Sequence, residues 1–198
     1  MKHHHHVIHC LETMKMKDGQ VELLQLHKQR LQEACRHFKI EYKDDIDQLL
    51  ADKKGDWKIR LLKSQTETIV EFLPLPENDI TVVTVDSIHT DTNEFTKYKT
   101  SHRIQYTHAN ERHPAYDDVI LWDSNDFVLE TTIANLVFEL NGQWFTPDLS
   151  LGQLKGVYLT WLMTTREIFE AKILYTDLHK YKIYCCNAVR GLYPVTLE

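Results

Sequence analysis

The sequence predicts an α+β fold: a small N-terminal antiparallel sheet carrying two helices, followed by a larger mixed domain. Three observations point there. Asp18-Gly19 and Asn141-Gly142 each stand between strand-like runs, and such dipeptides supply the positive φ of a tight hairpin turn. "QLHKQRLQEACRHF" puts Leu26, Leu31, Ala34, Cys35 and Phe38 on one helical face. "WKIRLL", "TIVEFL" and "DITVVTVDS" show the period-two alternation or β-branched density of short strands.

The elements follow in order. "VIHCLETMKMKDGQVELL" reads as strands over 7–16 and 20–24 around Asp18-Gly19, and the amphipathic helix comes next. A second helix over about 44–53 ends at Gly55, and the three strands follow. The polar, aperiodic "SIHTDTNEF" is the expected boundary, giving domains 1–90 and 91–198. Beyond it an extended "TKYK" leads to a helix near 101–111 that His113-Pro114 terminates. Strands "DVILWD" and "FVLETTIANLVFEL" come next, and Asn141-Gly142 turns the latter into "QWFTP". A helix over about 155–167, the strand "AKILYTD", a short helical "LHKYK" and a last strand "IYCCNAV" complete the chain.

Composition narrows the function classes. A net charge of -6 argues against a nucleic-acid footprint, which needs a basic face. No apolar run approaches the roughly 20 residues of a membrane helix, and no signal-peptide pattern opens the chain, so a cytoplasmic protein is expected. Cys10, Cys35, Cys185 and Cys186 lack C-x-x-C spacing and read as reduced core residues, the adjacent pair pointing to opposite faces of a strand. The run His3 to His6 beside the first Met is a tag remnant or a frayed end, and no metal site is expected.

Several residues have both a bland and a chemical reading. Lys97 and Lys99 lie on one face of an extended segment; each is a solvated lysine or, partly desolvated, a nucleophile for carbonyls. Glu130 is an edge-strand carboxylate facing water or, since Leu129, Ile133, Leu136 and Phe138 make its strand look buried, an acid needing a cationic or N–H partner. Arg30 is a surface arginine in an intrahelical pair or a bidentate anion clamp. Gly156 opens a helix whose free N–H groups suit an anion, and "CCNAVRGLYPV" ends a strand in a turn with Asn187 and Arg190.

Four segments in order, "LETMKMKDGQVELLQLHKQRLQEAC", "KYKTSHR", "VLETTIANLVFELNGQWFTPDLSLGQLKGV" and "CCNAVRGLYPV", make the chain resemble the class IV (fold-type IV) pyridoxal-phosphate enzymes from about Leu11 to its end. That group holds the 4-amino-4-deoxychorismate lyases and the branched-chain and D-amino-acid aminotransferases. The resemblance implies pyridoxal 5'-phosphate as cofactor and Lys99, which fits K-x-x-[polar]-R with Arg103 where Lys97 does not, as the lysine joined to it. It implies that Glu130 faces the pyridine nitrogen and keeps it protonated, so that the ring can take up electrons. Arg30 would hold the phosphate with backbone N–H groups of Val157 and Tyr158 and of the Asn187-Ala188 turn. The chain departs from the family in starting about twenty residues later and in Ala188, His102 and Leu159, where Ser or Thr, Asn and Arg are common.

"LLQLHKQRLQEAC" and the K-T-x-x-R form are closest to the lyases, which release pyruvate from 4-amino-4-deoxychorismate and leave p-aminobenzoate for folate synthesis. Arg190 and Arg60 are the candidate binders of substrate carboxylates. The alternatives are class IV transamination and a degenerate cofactor-binding protein without activity. A homodimer acting on a small anionic amine is expected from the resemblance.

Overall fold

β1 (Cys10–Lys17) turns at Asp18-Gly19, with φ of 50° and 77°, into the short β2 (Gln20–Val21), so the first predicted hairpin is present. The computed structural model describes residues 7–77 and 79–198; the run His3 to His6 lies outside the described residues. α1 (Leu24–His37) and α2 (Ile46–Leu50) follow, then β3 (Trp57–Lys63) and β4 (Thr68–Leu73). The strands form an antiparallel sheet in the order β2-β1-β3-β4. Alternate residues Cys10, Met14 and Met16 of β1 and Ile59 and Leu61 of β3 meet Leu31, Ala34 and Cys35 of α1 and Ile46 and Leu50 of α2. Leu31, Ala34, Cys35 and Phe38 of the predicted stripe thus belong to this core, and Leu26 does not.

The second unit contains β5 (Val82–Val85), α3 (Glu94–Lys97), α4 (Ile104–Arg112), β6 (Asp118–Trp122), β7 (Val128–Thr131), β8 (Asn135–Leu140) and β9 (Gln143–Pro147). α5 (Val157–Thr165), β10 (Phe169–Ala171), β11 (Lys182–Asn187) and β12 (Gly191–Leu197) complete it, with 3-10 turns at Leu149–Leu151 and Tyr175–Lys180. One mixed sheet runs β10-β9-β8-β11-β12-β5-β6-β7. β7 ends this order, yet only residues 132–134 join it to β8, so the sheet curls on itself. Val83, Ile120, Leu136, Phe138, Ile183, Cys185 and Tyr193 share one core cluster. Val137, Cys186, Leu159 and Leu162 form another against α5. Cys185 and Cys186 therefore face opposite sides, and all four cysteines are free and buried.

Several expectations are corrected. The units divide at Leu75 and Pro76, with Tyr98–His102 returning to the first, rather than at residue 90. The reason is β5, which pairs with β12 and β6 and so belongs to the second sheet; the polar stretch lies inside that unit, where Thr96 Oγ1 donates to the Gly152 carbonyl at 2.9 Å. Lys97 ends helix α3 rather than sharing an extended face with Lys99. "FVLETTIANLVFEL" is two strands, because Thr131 Oγ1 accepts from the Ala134 N–H at 2.9 Å and closes a turn. Of "AKILYTD" only Ala171 lies in β10 and Tyr175 already opens a 3-10 turn, and the last strand is β12, which antiparallel pairing joins to β11. α2, α4 and α5 are each shorter than the sequence pattern indicates.

Candidate active site residues

In the first unit, Glu12 on the core face of β1 is 1% exposed and meets two residues one helical turn apart on α1. Arg30 donates from Nε to Glu12 Oε1 at 2.8 Å and from its terminal nitrogen to Oε2 at 2.6 Å, a bidentate pair. Burial opposes the charge on Glu12, but the Arg30 guanidinium and the bonds from His27 and Arg30 outweigh it and bring the carboxyl to about 2. An ionised carboxylate only accepts, so His27 Nδ1, 2.6 Å from Oε2, carries the proton. Burial keeps the His27 ring neutral, and its Nε2, an acceptor, meets no hydrogen-bond partner among the described residues. Arg30 has therefore found its partner on β1, not on its own helix; Gln29 is the residue that reaches Glu33. Three of its five N–H groups remain for another acceptor.

Lys99 sits on a strip that runs alongside β1. Its carbonyl accepts from the Leu11 N–H at 2.9 Å, Cys10 and Thr100 form a β-bridge, and Ser101 donates to the His9 carbonyl at 2.8 Å. Tyr98, next to it, stacks on His37 at 4.3 Å. The Lys99 charge is one of those acting on His27, so the predicted lysine and the His27–Arg30 pair share a neighbourhood.

In the second unit, Glu130 is 5% exposed, and its need for a partner is met. Tyr106 donates its hydroxyl to Oε1 at 2.8 Å, and the Leu154 N–H donates to the same oxygen at 3.4 Å. The N–H was anticipated from sequence; the tyrosine was not. Two residues beyond Leu154, the chain prepares a helix start. Gly156 caps α5 in an extended conformation, and a Cβ there would stand 1.9 Å from Asn135 Oδ1. Asn135 donates to the Leu154 carbonyl at 2.7 Å, so it fixes the approach to α5 and requires glycine there. Val157 and Tyr158 are the first two residues of α5, whose N–H groups have no partner within the helix.

The Asn187-Ala188 turn is near that helix start: the Tyr158 hydroxyl lies 3.4 Å from where a Cβ of Gly191 would stand. Asn187 Oδ1 closes the turn by accepting from the Val189 and Arg190 N–H groups at 3.1 and 2.9 Å. Its amide nitrogen reaches the Ile133 carbonyl at 3.4 Å, in the turn that follows Glu130. The structure thus brings Glu130, the start of α5 and the Asn187 turn into one connected region. Arg190 pairs with Asp79 at 3.2 Å. Arg60, opposite Thr13 and between the core residues Ile59 and Leu61, lies on the sheet face turned away from Glu12 and pairs with Glu71 at 3.0 Å. No group of His, Cys, Asp and Glu among the described residues has the arrangement of a metal site.

Sequence reasoning missed Glu12, Tyr106 and Asn135. Glu12 and Asn135 stand inside the quoted motifs as letters without a role, and Tyr106 carries no local signal beyond being three residues after Arg103.

The chain is similar to known proteins. The family model for class IV amino-transferases matches residues 9–197. A Schizosaccharomyces pombe protein, named provisionally as an aminodeoxychorismate lyase, is 28% identical over 167 residues, covering 77% of this chain and 72% of the relative. Among solved structures, a provisionally named amino-acid aminotransferase of Mesorhizobium loti has a TM-score of 0.88 at 23% identity, over 96% of this chain and all of that one. The 4-amino-4-deoxychorismate lyase of Pseudomonas aeruginosa has a TM-score of 0.78 at 18% identity, over 96% of this chain and 82% of that one. The fold is that of the fold-type IV aminotransferases and lyases, and the chain belongs to the class IV aminotransferase family of pyridoxal-phosphate-dependent enzymes.

Proposed function

We propose that the protein binds pyridoxal 5'-phosphate and acts as a lyase on 4-amino-4-deoxychorismate, giving p-aminobenzoate and pyruvate in folate precursor synthesis. The observation that carries the cofactor reading is Glu130, a buried carboxylate oriented by a hydroxyl and a peptide N–H. A hydroxyl and a peptide N–H on one carboxylate oxygen fix its direction, which suits an acid that would meet a protonated pyridine nitrogen. Within the second unit, a glycine-capped helix start at Val157 and Tyr158 and the Asn187-Ala188 turn suit a phosphate, and within the first the Arg30 guanidinium suits the same kind of anion. When bound, the cofactor supplies an electron sink for the substrate's amine-bearing carbon.

Lys99 is the residue assigned to hold the cofactor, and its amine would take the proton from the substrate ring and deliver one to the enolpyruvyl group as pyruvate leaves. Arg190 and Arg60 are assigned to substrate carboxylates, each by exchanging its present partner, Asp79 or Glu71, for the ligand. The lyase choice is supported by the name of the fission-yeast relative and by Lys99, Thr100 and Arg103 in the K-T-x-x-R form. Transamination is the second reading, favoured by the class of the matching family. We place the enzyme in the cytoplasm as a homodimer; among the described residues no helix is long and apolar enough to cross a membrane.

The test is to incubate the cofactor-loaded protein with 4-amino-4-deoxychorismate and assay products. Equal amounts of pyruvate and p-aminobenzoate are expected, and none from Lys99→Ala. No pyruvate, together with conversion of the cofactor to its amine form by alanine or a branched-chain amino acid, would sink the lyase reading in favour of transamination.

A further inference from the structure

We infer that helix α4 is a positioning device for Glu130, with Tyr106 as the residue that aims the carboxylate and Arg103 as the residue that holds Tyr106 and the turn after Glu130. For its consequence in catalysis this rests on the reading of Glu130 as the partner of the cofactor nitrogen. The spacing is helical: residues 103, 106 and 110 fall on one face, and all three reach the segment 130–132. Tyr106 Oη donates to Glu130 Oε1 at 2.8 Å. The Arg103 guanidinium lies 4.3 Å over the Tyr106 ring and donates to the Thr132 carbonyl. The Asn110 amide is 3.1 Å from the Thr132 hydroxyl.

The same turn is gripped from the sheet side as well. Asp118 Oδ1 accepts from the Thr132 hydroxyl at 2.6 Å and from its N–H at 3.1 Å, while Thr131 Oγ1 ties back to Ala134. With its backbone pinned at residues 131 and 132, Glu130 keeps only its side-chain torsions, and the Tyr106 bond selects among them. Burial and the Glu130 charge push the Tyr106 hydroxyl well above the ordinary tyrosine range, so it stays protonated and remains a donor. Tyr106 is 5% exposed, leaving it little alternative to that bond. Arg103 also directly follows the strip that carries Lys99, so one stretch of thirteen residues, 98–110, contains both the candidate nucleophile and the helix that sets Glu130.

Tyr106→Phe tests this, because it keeps the ring under Arg103 and removes only the donor. In cofactor-free protein, urea unfolding of Tyr106→Phe, Glu130→Gln and the double variant should give a coupling of roughly tenfold or more in the unfolding equilibrium constant. In loaded protein, kcat of Tyr106→Phe should fall roughly ten- to a hundredfold with KM nearly unchanged, as for a misaimed group. That loss should not be compounded in the Tyr106→Phe/Glu130→Gln double variant. Arg103→Met, which acts from the rim, should show the same pattern more weakly and serves if Tyr106→Phe does not fold. Unchanged kcat in Tyr106→Phe while Glu130→Gln loses turnover, or losses that multiply in the double, would overturn the positioning role. If Glu130→Gln turns over normally while the cofactor-free coupling persists, the hold of Tyr106 on Glu130 stands, and it is the cofactor role of Glu130 that fails.

Discussion

Glu12 and Glu130 are both carboxylates buried on strands, and the two units stabilise them in opposite ways. Glu12 faces a guanidinium in a bidentate pair, with a neutral histidine completing its shell. Glu130 accepts from a tyrosine hydroxyl and a peptide N–H. The first arrangement cancels a charge inside the protein and fixes the geometry of Arg30 and His27 around it. The second sets the direction of one carboxylate oxygen through the Tyr106 hydroxyl and the Leu154 N–H. In the first unit a cationic donor makes the buried acid part of a structural hub, and in the second the tyrosine and peptide donors fix where one carboxylate oxygen points.

The largest break of that contrast is Arg30→Met. It leaves Glu12 buried without its cation, and such a loss costs about 3–5 kcal/mol. Urea unfolding at neutral pH should show it, together with weaker cofactor retention. A change below about 1 kcal/mol would mean that the Glu12 charge is not held by Arg30, and the hub reading would fail.

Acid sharpens the same point. His27 lies below the ordinary range near 6.5, so the folded state favours the neutral ring, and that contribution begins to be lost as pH falls through about 6.5. Glu12, lowered from 4.5 to about 2, contributes stability above 4.5 that is lost between these values. Together the pair predicts unfolding free energies that decline steadily from pH 7 to pH 3, by about 2 kcal/mol from Glu12 alone over that range. His27→Gln should flatten the portion just below pH 6.5. An unaltered slope in that variant would remove His27 from the account.

Gly156→Ala probes the second region with a smaller effect. The added Cβ would stand 1.9 Å from Asn135 Oδ1, so Asn135 must move and its 2.7 Å bond to the Leu154 carbonyl is strained. Overpacking of this kind costs about 1–3 kcal/mol. Because Leu154 also donates to Glu130, cofactor affinity should fall with stability. Titration by fluorescence would show it; full affinity in Gly156→Ala would separate the α5 start from the cofactor.

How much of this was legible in the sequence follows from the kind of interaction involved. Hairpins at Asp18-Gly19 and Asn141-Gly142, the α1 core stripe and the opposed faces of Cys185 and Cys186 are local, set by φ preference and by side-chain period, and all are present. The turn inside "VLETTIANLVF" was hidden because the hydroxyl of Thr131, a good strand residue, closes it. β12 was hidden by Pro194, which looks like a turn residue. It is tolerated because β5 pairs with β12 only at Thr196 and Leu197, so the missing N–H interrupts no bond on that side. The burial of Glu130 was readable from its apolar neighbours, but Tyr106 comes from an element twenty-four residues earlier, and no periodicity reports such a contact.

A third buried acid sets the lower limit of the comparison. Asp118 is 1% exposed and accepts through Oδ1 from the Val119 and Thr132 N–H groups and the Thr132 hydroxyl, while Oδ2 meets no hydrogen-bond partner among the described residues. Burial wins over these donors and raises its carboxyl above the ordinary 3.8. The sign is therefore opposite to that of Glu12: the folded state holds the proton more tightly, and this contribution, full below 3.8, is lost as pH rises through the raised value. Asp118→Asn keeps an accepting Oδ1 and puts an amide nitrogen where a protonated oxygen would stand. Its stability should match that of the parent within about 0.5 kcal/mol at acid pH and should gain relative to it as pH rises toward 7. Measured as unfolding free energy at pH 4 and pH 7, a difference that shrinks or reverses with rising pH would show that Asp118 is ionised and held by its donors, which would place it with Glu130 rather than apart from it.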